Sequence, residues 1–253
     1  MMNITPVVKQ LIILNIIFFI GSQLPSTHAY QLFSEFYIEN PSFKIWQPIT
    51  SMFMHAQLPN FTHILFNMIA LFSFGSALEH FWGGTKFLFF YISCGLGATL
   101  LNEGIHYYQY HHALSLLQEA NVSQQNIVAM LTQGKYNTNL LNTVPLSTIE
   151  DMYMAYNSQT IGASGAIYGL LVAFAFMFPM AELGIMFIPI PIKAKYFVPG
   201  LLAVDLFLGF RGQSLFGAGS TGIAHFAHIG GALTGYILML IWRNKRFKQN
   251  RWN

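Results

Sequence analysis

Long apolar runs alternate with polar stretches along this chain. Six of the runs approach the length of about 20 mostly apolar residues that a helix needs to cross a bilayer. They fall at residues 7–24, 61–79, 86–102, 163–181, 196–210 and 222–242. The fifth is short and carries Asp205, which predicts a tilted helix or one packed inside a bundle. After the fourth comes LGIMFIPIPIK (Leu183 to Lys193), apolar but holding Pro189 and Pro191. Those prolines deny it a regular helix, and it reads as an interfacial or partly re-entrant connection. Two polar stretches are long. Residues 25–60 hold Trp46 and further aromatics, which suit a membrane–water interface. Residues 103–160 include HHALSLLQEANVSQQNIVAMLTQGK, whose periodicity is helical, so this insertion is expected to fold as a small cap. The pattern predicts an all-α membrane protein: one domain over residues 1–253, six transmembrane helices, an extra helical insertion at 103–160 on the outer face, and a basic tail at 243–253. No internal repeat or low-complexity segment interrupts it.

Composition points the same way. Of 253 residues, 54% are hydrophobic and 8% charged, with mean hydropathy +0.46, whereas soluble domains carry about a quarter charged residues. So few charges could not cover that apolar surface in water. The net charge of +3 does not imply a nucleic acid partner, because Arg243, Lys245, Arg246, Lys248 and Arg251 crowd the end of the chain behind an apolar run. With six spans, nine of the twelve basic residues fall on the side of that tail and three (Lys44, Lys135, Arg211) on the other. The bias places both termini in the cytoplasm; with no organelle-targeting segment evident, a bacterial inner membrane is expected. A competing expectation is cleavage after Thr27-His28-Ala29, which loosely resembles a signal-peptidase site and would leave five spans. The single cysteine, Cys94, can form no intramolecular disulfide and is expected to pack.

Polar groups inside a membrane are costly and mark function by default. Ser164 opens the fourth run in IGASGAIYGL, His228 lies about one turn into the sixth, and His63 and Asn67 share one helix face of the second through their i,i+4 spacing. These three runs point the same way under the six-span topology, so all four side chains can lie at one depth. Serine is a poor nucleophile until a base takes its proton, and neutral histidine is the usual partner. His228 is the candidate base for Ser164. An attacked carbonyl becomes an oxyanion that needs fixed donors; Asn67, His63 and the Ser164 N–H at a helix N-terminus can supply them. Gly162 lets the backbone approach a substrate. Gly165 and Gly169 form a small-xxx-small face, repeated by Gly231 and Gly235, that lets the fourth and sixth helices pack closely. Tyr168, one turn after Ser164, can stack on the imidazole. Taken singly, each feature is more often helix packing or a satisfied core histidine; the set is what points to a site.

HILFN, Glu79-His-Phe-Trp-Gly83, GASGAIYG and AHIGGALTG occur in the order found in the rhomboid family, the intramembrane serine proteases, and the resemblance runs from about residue 45 to 242. It implies a six-helix rhomboid-like bundle and a serine endopeptidase with Ser164 as nucleophile and His228 as general base, without an acidic third member. It implies Gly162, His63 and Asn67 around the oxyanion hole, Tyr168 as support for His228, and a loop at Arg211 to Thr221 closing a water-filled cavity. His225 has no role under it beyond packing. The expected partners are single-pass transmembrane substrates and membrane lipid; no metal or other cofactor is implied, and oligomeric state is left open. The chain departs from the family at Trp46-Gln47-Pro48, where many bacterial members have Trp-Arg, and in the length of the 103–160 insertion. Two alternatives compete: a catalytically silent relative that binds transmembrane clients, and a transporter. The silent relatives usually lack the serine or the histidine. A transporter predicts paired broken helices or internal symmetry, and the sequence shows neither.

Overall fold

The computed structural model describes residues 3–185, 188–211 and 223–242. In chain order it contains α1 (Pro6–Ser22), β1 (Glu35–Phe36), α2 (Thr62–Trp82), α3 (Gly84–Glu119), α4 (Gln124–Gln133), α5 (Leu146–Asn157), β2 (Gln159–Thr160), α6 (Ser164–Met177), β3 (Glu182–Ile185), β4 (Ile188–Lys193), α7 (Ala194–Arg211) and α8 (Ile223–Ile241). Helices dominate. α2 and α3 are long and apolar enough to cross a membrane, while α1, α6 and the part of α8 from His225 are shorter apolar helices.

The centre of the bundle is α3, α6 and α8, and glycine sets their spacing. A Cβ built on Gly231 would lie 1.9 Å from the Gly165 carbonyl oxygen, and one on Gly235 would lie 2.8 Å from the Gly169 Cα. One on Gly169 would meet Cys94 Sγ at 2.3 Å, one on Gly165 the Ala98 Cβ at 2.5 Å, and one on Gly230 the Gly97 carbonyl oxygen at 2.6 Å. The two glycine faces thus meet each other and also meet α3, whose Cys94 is buried between them. Around this centre, Val8 and Leu11 of α1 join Leu71, Leu78, Phe87, Phe90 and Leu170 in one apolar core. The first turn of α1 is held by Glu79 of α2. The carboxylate accepts the Val7 and Val8 N–H groups at 3.0 and 2.9 Å and the Thr5 hydroxyl at 2.5 Å. It thereby caps donors that a helix start leaves open, at its positive end.

Hydropathy does not set the end of α3. The helix runs on for 36 residues, so residue 103 lies in its interior and the expected cap begins as its continuation. Its second half packs against α4 and α5 in a second apolar core built on Ala113, Leu117, Ile127, Met130, Ile149 and Met152. The first loop fastens this cap to the bundle. Tyr37 is fully buried and packs edge-on or tilted against His106, Tyr110 and Tyr156, while Asn40 Nδ2 donates to the Tyr156 carbonyl at 2.7 Å. Gln47, where the resemblance leads to an expected arginine, anchors the loop. Its buried amide accepts from the Lys44 and Phe36 N–H groups and donates to the Gln31 and Ser42 carbonyls.

In the segment with Pro189 and Pro191, β3 pairs antiparallel with β4, so it is not a regular helix. Prolines at alternate positions remove donors from one edge of β4, which a two-stranded hairpin tolerates because each strand has a free edge. The tail at 243–253 and residues 212–222 of the expected closing loop lie outside the described residues.

β1 and β2 pair Glu35 with Thr160 and Phe36 with Gln159, two residues before Gly162. Glu35 is buried and accepts from the Thr99 hydroxyl at 3.1 Å. Burial first, then the Glu103 charge, pushes its carboxyl up to about 8 from 4.5, against the Thr99 hydrogen bond. The folded state therefore favours the protonated form. Its contribution to stability is fully present below the unfolded value of 4.5 and is lost as pH rises through about 8. Thermal unfolding of detergent-solubilised protein from pH 5 to 9 should show a midpoint that falls across this window in wild type. The fall should be shallower in Glu35→Gln, which is neutral throughout; parallel curves would refute the assignment.

Candidate active site

Gly162 has φ +120°, a conformation side chains rarely adopt. Its N–H donates to the Ser51 carbonyl at 2.9 Å, which fixes the turn into α6. A Cβ here would sit 3.0 Å from His63 Nε2 and 3.6 Å from Ser164 Oγ, so glycine also keeps open the space between those two groups. Ser164 is the first residue of α6. Its N–H belongs to the first turn, where no carbonyl one turn back is available to it, and the helix dipole adds partial positive charge.

His63 lies in the first turn of α2. Its Nδ1 accepts the Ala56 N–H at 3.1 Å. A backbone N–H can only donate, so in the neutral ring the proton sits on Nε2, the nitrogen facing Gly162. His55 packs 5.2 Å from the His63 ring, centroid to centroid. Burial first, then the nearby His63, pushes His55 down to about 3, against its Phe53 carbonyl contact, so it stays neutral. Asn67 is buried and donates through Nδ2 to the His63 carbonyl at 2.7 Å, which turns its amide along its own helix.

His228 of α8 brings the other half. Its Nε2 lies 2.9 Å from Ser164 Oγ. Its ring stacks on Tyr168 at 4.1 Å between centroids and 7° between planes. Its Nδ1 lies 3.2 Å from Asp205 Oδ2, while the other oxygen, Oδ1, contacts His225 Nδ1. Asp205, on α7, is buried, as is His225. A carboxylate only accepts, so Nδ1 of His228 carries the proton and the Nε2 lone pair faces the serine hydroxyl.

Ser164, His228, Tyr168, Gly162 and His63 are thus brought together. Asn67 sits beside them, one turn along α2 from His63 and bonded to its carbonyl. Gly165, Gly169, Gly231 and Gly235 lie behind the site, at the crossing of α6 and α8. The sequence treats Asp205 only as an oddity of the fifth run and His225 as packing, and it does not single out His55. One signal for the first two was present: a carboxylate in an apolar run is a functional hypothesis by default, and His225 and His228, three apart, share a helix face. Among the described residues, Asp205, His225 and His228 offer ligand atoms all within 4.8 Å of one another. Both imidazoles are already engaged with the carboxylate as hydrogen bonds, which accounts for the cluster without an ion.

A hydroxyl on an imidazole, with hydrogen-bond donors facing the space beside it, is an arrangement able to activate a serine and to stabilise an oxyanion. The rhomboid domain model matches residues 42–245, and the chain belongs to the rhomboid family. This is a membrane-embedded family that includes intramembrane serine proteases. The chain is 26% identical over 200 residues to the rhomboid protease AarA of Providencia stuartii, covering 78% of this chain and 56% of that protein. It is 25% identical over 246 residues to the mitochondrial presenilin-associated rhomboid-like proteins of Bos taurus and Rattus norvegicus, covering 94% of this chain and 50% of each of theirs. The chain therefore spans about half the length of the curated relatives it matches.

Proposed function

We propose that the protein is an intramembrane serine endopeptidase that cleaves transmembrane segments near their outer end. The observation that carries this is the 2.9 Å approach of Ser164 Oγ to His228 Nε2, in a family that contains such proteases. Ser164 Oγ attacks the scissile carbonyl carbon as its proton passes to His228 Nε2. The resulting oxyanion accepts from the Ser164 N–H and from His63 Nε2–H, with the Asn67 amide alongside. Collapse breaks the C–N bond, and His228 returns the proton to the leaving amine. Water then gives a proton to His228 and attacks the acyl-serine, releasing the carboxyl product and restoring the hydroxyl. A peptide bond inside a helix is shielded by its own turns and hydrogen bonds, so substrates with helix-weakening Gly or Pro near the cut should be preferred.

In this proposal the six apolar runs all span, both termini are cytoplasmic, the membrane is a bacterial inner membrane, and the cap stands on the outer face. The test is cleavage of a panel of tagged single-pass proteins co-reconstituted in liposomes with wild type or Ser164→Ala. Fragments cut within the transmembrane segment, formed by wild type alone, are the expected result. Cleavage by both proteins, or by neither across a panel with exposed Gly and Pro, would overturn the proposal. Binding of intact substrates without cleavage would favour a client-binding relative instead.

A further inference from the structure

We infer that Asp205 is the positioning residue of this site, a carboxylate that sets the tautomer and orientation of His228 and is itself held in place by His225. The inference rests on the serine protease proposal and extends it from two residues to a chain of four: Ser164, His228, Asp205 and His225. The geometry that leads to it is the division of labour between the two carboxylate oxygens. Oδ2 takes the His228 Nδ1 proton at 3.2 Å and Oδ1 meets His225 Nδ1, so the carboxylate is held from both sides and bridges two histidines on one face of α8.

Three physical consequences follow. A free imidazole exchanges its proton between the two nitrogens, and only the form protonated at Nδ1 has an Nε2 lone pair for Ser164. A buried acceptor fixed on Nδ1 selects that form. A ring held by one hydrogen bond and by stacking on Tyr168 has little freedom to swing away from Oγ. When His228 takes the serine proton it becomes a cation in a buried site, and Asp205, the only carboxylate contacting it among the described residues, neutralises that charge; Asp205 itself need not take up a proton. A buried carboxylate is expensive unless paired, and with 2% side-chain exposure Asp205 is retained at a cost that this role accounts for.

The surroundings of His228 are consistent with Asp205 acting on it directly. From α6 the titratable group facing it is Tyr168; from α7 it is Asp205; from α2 it is His63, across the Gly162 turn from Ser164; and on α8 itself it is His225. α3 meets α8 through Gly97, Ala98, Leu101 and the Cys94 backbone, and of these only Cys94 carries a titratable group.

The experiment uses the whole 253-residue chain in detergent and needs no knowledge of the natural substrate. A fluorophosphonate probe phosphonylates an activated serine: Oγ bonds to phosphorus, fluoride leaves, and the base takes the serine proton. Labelling is followed in wild type, Ser164→Ala, Asp205→Asn and Asp205→Glu, with kcat and KM for any substrate found. In parallel, nitrogen-15 histidine spectra, assigned with His228→Gln, report the His228 tautomer. Wild type should label at Ser164 and show His228 protonated at Nδ1. Asp205→Asn should slow labelling by roughly 10⁴-fold, the loss in kcat when the aspartate of a Ser-His-Asp triad is neutralised, with KM little changed. Its amide can donate to Nδ1 and so should move the proton to Nε2. Asp205→Glu, which keeps the charge, should recover part of the rate and the Nδ1 proton. Absence of wild-type labelling at Ser164 would sink the protease proposal itself. Labelling of Asp205→Asn at the wild-type rate would overturn only the role given to Asp205, as would an Nε2-protonated His228 in wild type. The second of these observations needs no Asp205 variant that folds.

Discussion

Ser164→Ala and His228→Ala should each reduce turnover by roughly 10³- to 10⁶-fold, and the double variant should lose little more than the more impaired of the two. The reason is that the two side chains act as one unit. The hydroxyl is nearly inert without a base within reach, and the imidazole has nothing to deprotonate without the hydroxyl. What remains in all three variants is what the fold supplies on its own: the Ser164 N–H at the start of α6 and the His63 Nε2–H across the Gly162 turn. Strict multiplication of the two single losses is the result that would contradict this account, since it would mean that serine and histidine contribute to separate steps. The measurement is single-turnover cleavage in liposomes, with thermal unfolding to establish that each variant is folded. Alanine at Ser164 is nearly isosteric and should leave the bundle intact, whereas His228→Ala removes a stacked ring and one partner of Asp205 and should lower the unfolding midpoint without unfolding the bundle.

Gly231→Val should also be damaging, by a different route. A Cβ at this position falls 1.9 Å from the Gly165 carbonyl oxygen and 2.7 Å from its carbonyl carbon. Those are backbone atoms of α6, and they cannot turn aside as a side-chain end could. α6 and α8 must therefore separate, and the separation carries Ser164 away from His228, because Gly165 is the next residue after Ser164 and Gly231 lies one turn beyond His228. A displacement of about 1 Å in a reacting pair costs on the order of 10²-fold in rate, and overpacking costs about 1–3 kcal/mol of stability. A lowered unfolding midpoint together with lost fluorophosphonate labelling is expected. Gly104→Ala is the control, since nothing lies within 4 Å of its added carbon, and it should leave both measurements close to wild type. If Gly231→Val behaved like that control, the packing account of the glycine faces would fail.

Much of this was legible in the linear pattern. The runs at 7–24 and 61–79 differ from α1 and α2 by at most three residues at either end, because apolar length and helix length coincide where a chain is solvated by lipid. They part company in α3. Its apolar stretch stops near residue 102, but no proline or glycine C-cap stops the helix, and amphipathic periodicity carries it to Glu119. The prolines at 189 and 191 correctly ruled out a helix, yet they cannot announce a hairpin, because β3 supplies the partner and the pattern of β4 alone does not encode it. The site divides along the same line. Ser164, Gly162, His63 and His228 were visible because their chemistry is unusual in apolar runs. Asp205 was equally unusual, but its meaning depends on α7 lying against α8, and no spacing along the chain relates residue 205 to residue 228. Gln47 shows the converse: a departure in the sequence, neutral for charged, is absorbed by an amide with the reach to bond both sides of its loop.

If the proposed protease reading holds, the length of α3 bears on which substrates can reach the serine. At 1.5 Å per residue a 36-residue helix is about 54 Å long, against about 30 Å for the hydrocarbon core of a bilayer. In the proposed orientation some 20 Å of it stands clear of the lipid as a rigid mast, with the cap lashed to its upper half and the first loop to its base. A membrane protein whose folded ectodomain sits close against the bilayer would collide with that mast before its transmembrane segment could enter the bundle. One whose ectodomain rides on a slack stalk would pass beneath or around it. The mast would then work as a height gauge, sorting passing proteins by their clearance above the lipid.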